Sequence, residues 1–547
     1  MAPTSRAFSV PLCVLAAAAV TAACSPGADT DVNPVANEDN SSVQEQELAA
    51  AIGLDKVIPS PVSVQSKSEQ EYTLTRNTVV YTDPNSQDAA RVGEYLAGLL
   101  RPATGYPFTV RPASGVPNSG IALLLSGANG SVGASGYEID VNGSRVLVRA
   151  KTGAGLFAAV QTLRQLLPVA IENSTVENAS WKIAGGHILD YPRTDYRGGM
   201  LDVARHFFPV STVKRYIDHL ARYKLNYFHI HLADDQGWRI QIDSYPRLAT
   251  YGGSTQVGGG PGGYYTKAEY TDIVNYAAAR YITVIPEIDM PGHTNAALAS
   301  VPELNCNNQA PPLYTGTDVG FSSFCMDEAH RAVVTKFIDD VVRELAALTP
   351  GPYIHLGGDE AHSTPEADYI AFEKRVFPIV AKYGKRMVGW HEILKATPDT
   401  TALPQYWGTT PDDANVKAAA QRGMKFLVSA ANKTYLDMKY DQNTPLGQDW
   451  AGLIEVRDAY DWNPTAYLTG VSSSQIAGFE APLWTETITK LADIEYMIFP
   501  RLPALAERGW SPASRTWSDF RTRLATHSPR WKKAKITYYP SPQIAWP

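Results

Sequence analysis

The stretch Tyr353-Ile354-His355-Leu356-Gly357-Gly358-Asp359-Glu360 passes from an apolar run into two adjacent carboxylates. It predicts a β-strand with acids at its C-terminal end, and the two glycines before them let other groups approach the backbone closely. Successive strand residues point to opposite sides, so Asp359 and Glu360 are not expected to act as two carboxylates facing each other across one ligand. One acid and one positioning group is the reading that follows. Taken alone, such a pair more often caps the following helix, so its surroundings decide.

On both sides the pattern repeats. Strand-like runs occupy 199–203, 226–232, 283–288, 353–356, 386–390, 403–407, 425–429 and 476–483, each followed by a helix or a loop. Helical periodicity falls between several of them, as in Val213, Ile217 and Leu220, or Val334, Phe337, Ile338, Val341, Val342 and Leu345. Eight such units predict an α/β fold, a TIM (β/α)8 barrel over residues 191–547. Arg205, Asp234, Asp235, His293, Asp359, Glu360, Tyr435, Asp437 and Glu486 come just after strand runs. In this fold that edge carries the chemistry.

Upstream, residues 56–190 read as a small α+β domain. Its expected elements are a strand near 72–81, a helix over 89–100, strands near 108–111 and 121–125, a hairpin of 136–141 with 145–150, and a helix over 156–167. Asn142-Gly143 is a type I′ turn signal for the hairpin. No cluster of catalytic residue types appears there, so a supporting role is expected. Residues 1–24, with Arg6, the apolar run 10–20 and small residues before Cys24, have the anatomy of a secretory signal too short to span a membrane. Thr21-Ala22-Ala23-Cys24 resembles a lipoprotein cleavage box with Thr where an aliphatic residue is usual, so a plain cleaved signal and a lipid on Cys24 both stay open. Residues 25–55 read as a flexible linker, its first part rich in Asp, Asn, Ser, Gly and Pro. The protein is expected to be secreted or lipid-anchored at the outer face of a bacterial cell membrane.

The net charge of -7 and the absence of any Lys/Arg run give no field for nucleic acid. In an exported chain, Cys306 and Cys325 within the loop after the third strand run predict a disulfide, worth about 3 kcal/mol by loop-closure entropy. Three Trp residues, Trp390, Trp407 and Trp484, sit at strand ends. Any one is more often barrel packing, but three at one edge suit an apolar wall that excludes water from a cationic transition state.

Several motifs in this order, Asp202-Val-Ala-Arg205-His206, His229-Ile-His231-Leu-Ala-Asp234-Asp235-Gln236, Pro291-Gly-His293, His355-Leu-Gly-Gly-Asp359-Glu360 and Trp484-Thr-Glu486, resemble glycoside hydrolase family 20, the β-N-acetylhexosaminidases. The likeness covers both domains, about 57–511. It implies substrate-assisted catalysis, in which the sugar's 2-acetamido oxygen attacks the anomeric carbon and an oxazolinium ion forms, with net retention and no cofactor. By the same resemblance Glu360 is the acid and base, and Asp359 orients the acetamido N–H. Tyr435 donates to the acetamido oxygen, and Trp390, Trp407 and Trp484 wall the acetamido pocket. Arg205 and Glu486 hold O3 and O4, Asp437 and Trp450 reach O6, and Asp234 and His293 support the acid. The implied partner is a carbohydrate, either chito-oligosaccharides or glycan termini.

Two other classes fit parts of the pattern. His229-x-His231 with His293, His355 and Asp359 could ligate a metal on the same fold. The HxH spacing is weak, though, and strand alternation puts His229 and His231 on one side and Asp234 on the other. A non-catalytic amino-sugar-binding protein is the third reading, against which the retained acid Glu360 counts.

Overall fold

The computed structural model describes residues 51–547 apart from Ser68. The expected signal, Cys24 and the linker up to residue 50 lie outside the described residues. The end of that linker is already folded: Leu54 opens a short helix, Leu54–Lys56, and is buried in the main core. Withdrawing a leucine side chain from water is worth about 2 kcal/mol, which fixes the chain there.

The first domain is built on a seven-stranded sheet in the order Ser63–Ser66, Gly186–Asp190, Tyr137–Asn142, Arg145–Ala150, Gly120–Leu124, Val80–Thr82, Val110–Pro112. Helices Gln87–Thr104 and Gly153–Leu166 pack on each other and on the sheet. Each begins at a hydroxyl cap, Ser86 accepting from the Ala89 amide and Thr152 from the Gly155 amide. The alternation in Tyr137–Asn142 buries one face and leaves the other half-buried.

Two expectations for this domain need correction. The single strand near 72–81 is two: Tyr72–Thr73 pairs with Lys182–Ile183 in a separate ribbon, while Val80–Thr82 joins the main sheet. Between them a turn closes, with the Thr78 amide donating to the Thr75 carbonyl and the Thr75 amide to the Thr78 hydroxyl. The hairpin forms, but Asn142 pairs with Arg145, so Gly143 and Ser144 make the turn, and neither is at positive φ. A type I′ turn needs both there. The Asn142 side chain instead accepts from the Ser144 and Arg145 amides. The polar strand Ser63–Ser66 and the strand Gly186–Asp190 were not anticipated.

The second domain is a closed parallel barrel. Its strands are β1 (Tyr196–Asp202), β2 (Tyr227–His231), β3 (Thr283–Glu287), β4 (Tyr353–His355), β5 (Arg386–Trp390), β6 (Leu403–Tyr406), β7 (Phe426–Val428) and β8 (Ile476–Leu483). Each pairs with the next, and β8 closes on β1 with Tyr196 opposite Gly478. The strands are buried along nearly their whole length, as both-face covering requires. Asp190 ties the two domains: its carboxylate accepts from the Trp510 indole at 2.9 Å and from Lys224 at 3.0 Å. Cys306 and Cys325 are joined in a disulfide across the loop after β3.

Candidate active site

β4 stops at His355, and the residues after it leave the strand. Gly357 and Gly358 have φ of 66° and 97°, and Glu360, which is not glycine, has φ of 44°. A side chain at Gly357 would collide with the Asp289 carboxylate beneath it. The bend overturns the argument from strand alternation: Asp359 and Glu360 both line one cavity of about 390 Å³ at the C-terminal mouth of the barrel. Left-handed backbone at a non-glycine residue is strain of the kind held at functional sites, and His293, also on this cavity, shares it with φ of 55°.

His293 organises the acids. Its Nδ1 lies 3.1 Å from Asp234 Oδ1, and its Nε2 lies 3.4 Å from Glu360 Oε2 and 3.7 Å from Asp359 Oδ2. Burial disfavours its cation, but the charges of Asp234 and Asp359 outweigh that and raise its pKa well above the ordinary value. Burial likewise pushes Glu360 up, and the hydrogen bond and charge of His293 overcome it and hold Glu360 below the usual range. Asp359 goes the other way: burial pushes it up to about 7, with His293 opposing and Glu392 and Glu360 adding to the rise. The proton therefore favours Asp359 over Glu360, the reverse of what an acid at position 360 needs during protonation of a leaving group.

Asp234 is not on the cavity wall but behind it. It meets Arg205 Nη2 at 2.9 Å and His231 Nε2 at 2.9 Å. The expectation that Asp234 points away from His231 is thus wrong, because Ala233–Asp234 folds back in a ribbon against Gly237–Trp238 and no longer follows the strand's alternation. Arg205 also meets Asp202 at 3.2 Å and Glu486 at 4.0 Å, and its guanidinium lies over the Trp484 ring at 4.9 Å.

Arg205, His293, Trp407, Tyr435, Asp437, Trp450, Trp484 and Glu486 join the two acids on the cavity surface. The aromatic residues are contiguous: Tyr435 lies 5.8 Å from Trp450 and 6.4 Å from Trp484, and Trp407 lies 5.9 Å from Trp450. Trp407 is held by its indole N–H, 3.0 Å from Glu392 Oε2. Trp450, 55% exposed, stands at the mouth. Trp390 departs from the expected wall. It is buried below the cavity, packing on Trp484 at 5.7 Å and donating to Glu287 at 3.0 Å. Burial raises the pKa of Asp437 well above the usual range, with Glu486 adding to it, and raises Glu486 against the opposing Arg205.

Thr317, Val319 and Gln448 also line the cavity and were not anticipated, nor were Glu287 and Asp289 beneath it. Only the last two left a signal, alternate acids at the end of a strand run. A larger open groove of about 700 Å³ lies between helices Arg331–Leu348 and Glu366–Lys382, but it gathers exposed, ion-paired residues such as Lys336, Asp339 and Lys382 and no convergent buried acids.

Donor atoms of His229, Glu287 and His355 come within 4.8 Å of one another, a spacing that could hold a metal ion. The same groups already balance one another. His229 hydrogen-bonds Glu480 at 2.8 Å, His231 hydrogen-bonds Glu287, and the charges of His355, His231 and His229 hold Glu287 well below the carboxylate range against the effect of burial.

A (β/α)8 barrel whose C-terminal mouth holds an acid pair, an aromatic wall and a ring of buried hydrogen-bonding side chains defines a carbohydrate-hydrolase class of site. Profile comparison agrees: residues 195–513 match the catalytic domain of glycosyl hydrolase family 20, and residues 55–191 match domain 2 of the same family. The chain belongs to glycosyl hydrolase family 20. A β-N-acetylhexosaminidase of Cellulomonas fimi is 41% identical over 90% of this chain and 97% of its own length. The structure of the Streptomyces coelicolor A3(2) β-N-acetylhexosaminidase superposes with a TM-score of 0.88 at 55% identity, covering 91% of this chain and 100% of that one. A mutant Streptomyces plicatus β-hexosaminidase bound to its product GlcNAc does so with a TM-score of 0.88 at 56% identity, with the same coverage.

Proposed function

We propose that this cavity removes terminal, non-reducing β-linked N-acetylglucosamine or N-acetylgalactosamine, with Asp359 and Glu360 in distinct roles. The protein is a β-N-acetylhexosaminidase acting by substrate-assisted catalysis with net retention. The acetamido oxygen forms a bond to C1 as the C1–O bond to the leaving group breaks, and Glu360 gives its proton to that oxygen. Asp359 accepts the acetamido N–H and stabilises the oxazolinium charge, while Tyr435 donates to the acetamido oxygen. Water then adds to C1 as the bond from C1 to the acetamido oxygen breaks, restoring the acetamido group, and Glu360 takes the proton that the attacking water loses. Trp407 and Trp484 shield the cation from water, with Trp390 as their support. Arg205 and Glu486 bind O3 and O4, Asp437 and Trp450 meet O6, and Asp234 and His293 orient the acid.

The observation that carries this reading is that the two adjacent carboxylates reach one cavity from the same loop and approach the same His293 nitrogen, so they stand together instead of flanking the sugar as an acid and a protein nucleophile would. Chito-oligosaccharides and glycan termini both present the required group. The leader in the sequence and the Cys306–Cys325 disulfide support export, either free or through a lipid on Cys24.

The test is cleavage of 4-nitrophenyl N-acetyl-β-glucosaminide beside the β-glucoside lacking the acetamido group. The first alone should be cleaved. Hydrolysis of both at similar rates requires a protein nucleophile, and loss of activity in EDTA restored by zinc requires a metal mechanism.

A further inference from the structure

Beneath the Gly357-Gly358 bend lies an acid that the roles above leave unused. Asp289, two residues beyond β3, is 2% exposed, and its Oδ1 accepts the Gly358 amide at 3.2 Å. Its other oxygen, Oδ2, is buried with no hydrogen-bond partner, and so is Oδ1 of Asp359. One carboxylate oxygen of Asp289, one of Asp359 and a ring nitrogen of His293 lie within 4.8 Å of one another. Two buried carboxylates this close, each with an orphan oxygen, do not both stay charged: like charges out of water hold a proton between them.

We propose that Asp289 is a positioning residue that shares one proton with Asp359 and keeps it when substrate binds, so that Asp359 meets the acetamido N–H as an anion. This rests on the reading of Asp359 as the acetamido partner. The step is balanced. As the N–H docks on Asp359, the proton passes to Asp289 by loss of one O–H bond and gain of another, and the pair keeps a single negative charge. The surroundings fit. Asp289 is faced by Glu287 from the end of β3, by Asp234 and His231 from the end of β2, by His293 from its own loop and by Asp359 from the loop after β4. Burial first, then the charge of Asp359, raises the pKa of Asp289 well above the usual range, with His293 opposing. The arrangement also accounts for the raised pKa of Asp359: the group that must be an anion with substrate bound has a neighbour able to take its proton.

The experiment compares Asp289→Asn and Asp289→Ala in the full chain. Asparagine keeps a neutral donor and acceptor where a protonated Asp289 stands, and alanine keeps neither. In native capillary electrophoresis at about pH 8, above the pKa of Asp359, Asp289→Asn should match the wild-type mobility, because the replaced group carried no charge. In urea it should differ by one charge. Asp412→Asn, at a side chain 64% exposed, is the control that shifts by one charge in both. Asp289→Ala should lower kcat roughly a hundredfold with little change in KM, and Asp289→Asn should recover all but about tenfold of it. A one-charge native shift for Asp289→Asn, or an asparagine variant no better than alanine, overturns the proposal. Should alanine fail to fold, the mobility of Asp289→Asn still decides. A wild-type rate for Asp359→Asn would instead sink the role of Asp359, and leaves the mobility result standing.

Discussion

Replacing Arg205 with methionine tests whether the polar ring of the cavity is held together by one cation. The guanidinium is buried and stands 3.2 Å from Asp202, 2.9 Å from Asp234 and 4.0 Å from Glu486. Burial by itself raises the pKa of Asp234, and Arg205 with His293 reverses that and holds it well below the carboxylate range. Methionine fills much of the volume and strands the acids. Removing one partner of a buried ion pair costs about 3–5 kcal/mol, and the cost here falls at the upper end because three carboxylates lose the same partner. The sign with pH follows from the depressed Asp234: its stabilisation is complete above the unfolded carboxyl pKa and is lost as pH falls through the lower, folded value. Urea unfolding at neutral pH should show the full deficit of the variant, and the gap should narrow under acid. Arg205→Lys should regain part of the stability but little of kcat/KM, since one ammonium cannot span three carboxylates. A variant within about 1 kcal/mol of wild type at neutral pH refutes the argument and marks the cluster as one that function retains at the expense of stability.

Glu360→Gln should keep sugar affinity while turnover falls at least about a hundredfold, read by isothermal titration beside steady-state kinetics; unchanged turnover rejects it as the acid. Tyr435→Phe should lower kcat about a hundredfold to a thousandfold with KM nearly constant, as for loss of one preorganised donor to a charged oxygen, and a KM effect alone would mean ground-state packing. Opening the disulfide with Cys306→Ser and Cys325→Ser should cost about 3 kcal/mol in unfolding experiments and raise KM, because Thr317 and Val319 on the cavity wall lie inside the loop it closes; an unchanged KM would detach that loop from binding. Glu373 is buried with an unpartnered oxygen, and burial holds its pKa well above the ordinary value. Its proton is kept on folding and released on unfolding, so stability is full below the unfolded pKa and falls above it by at most ~1.4 kcal/mol per pH unit. Glu373→Gln should flatten that slope between about pH 5 and 8 in thermal unfolding, and an unaltered slope would mean that Glu373 is ionised in the native protein.

How much of this was legible depends on which force sets each feature. Barrel strands are covered on both faces, so burial writes itself into the chain as short apolar runs, and even Leu403–Tyr406, with a proline and a glutamine, could be placed by its neighbours. Ser63–Ser66 is made by pairing with Gly186–Asp190 across the domain, and its own residues say nothing of that. The site divides the same way. Side chains at strand ends were found because residue type and position coincide there. What failed was every inference that extended strand geometry past the strand's end, for Asp359 with Glu360 and for Asp234 with His231, where glycine φ values and a two-residue ribbon redirect the chain. Trp390 shows the converse: it is where the strand puts it, but its direction is set by Glu287, an acid buried at the end of an otherwise apolar run. Bends and second contacts of this kind turn a row of polar residues at a barrel edge into one cavity with its acids at different pKa values, and neither is a property of any local stretch of sequence.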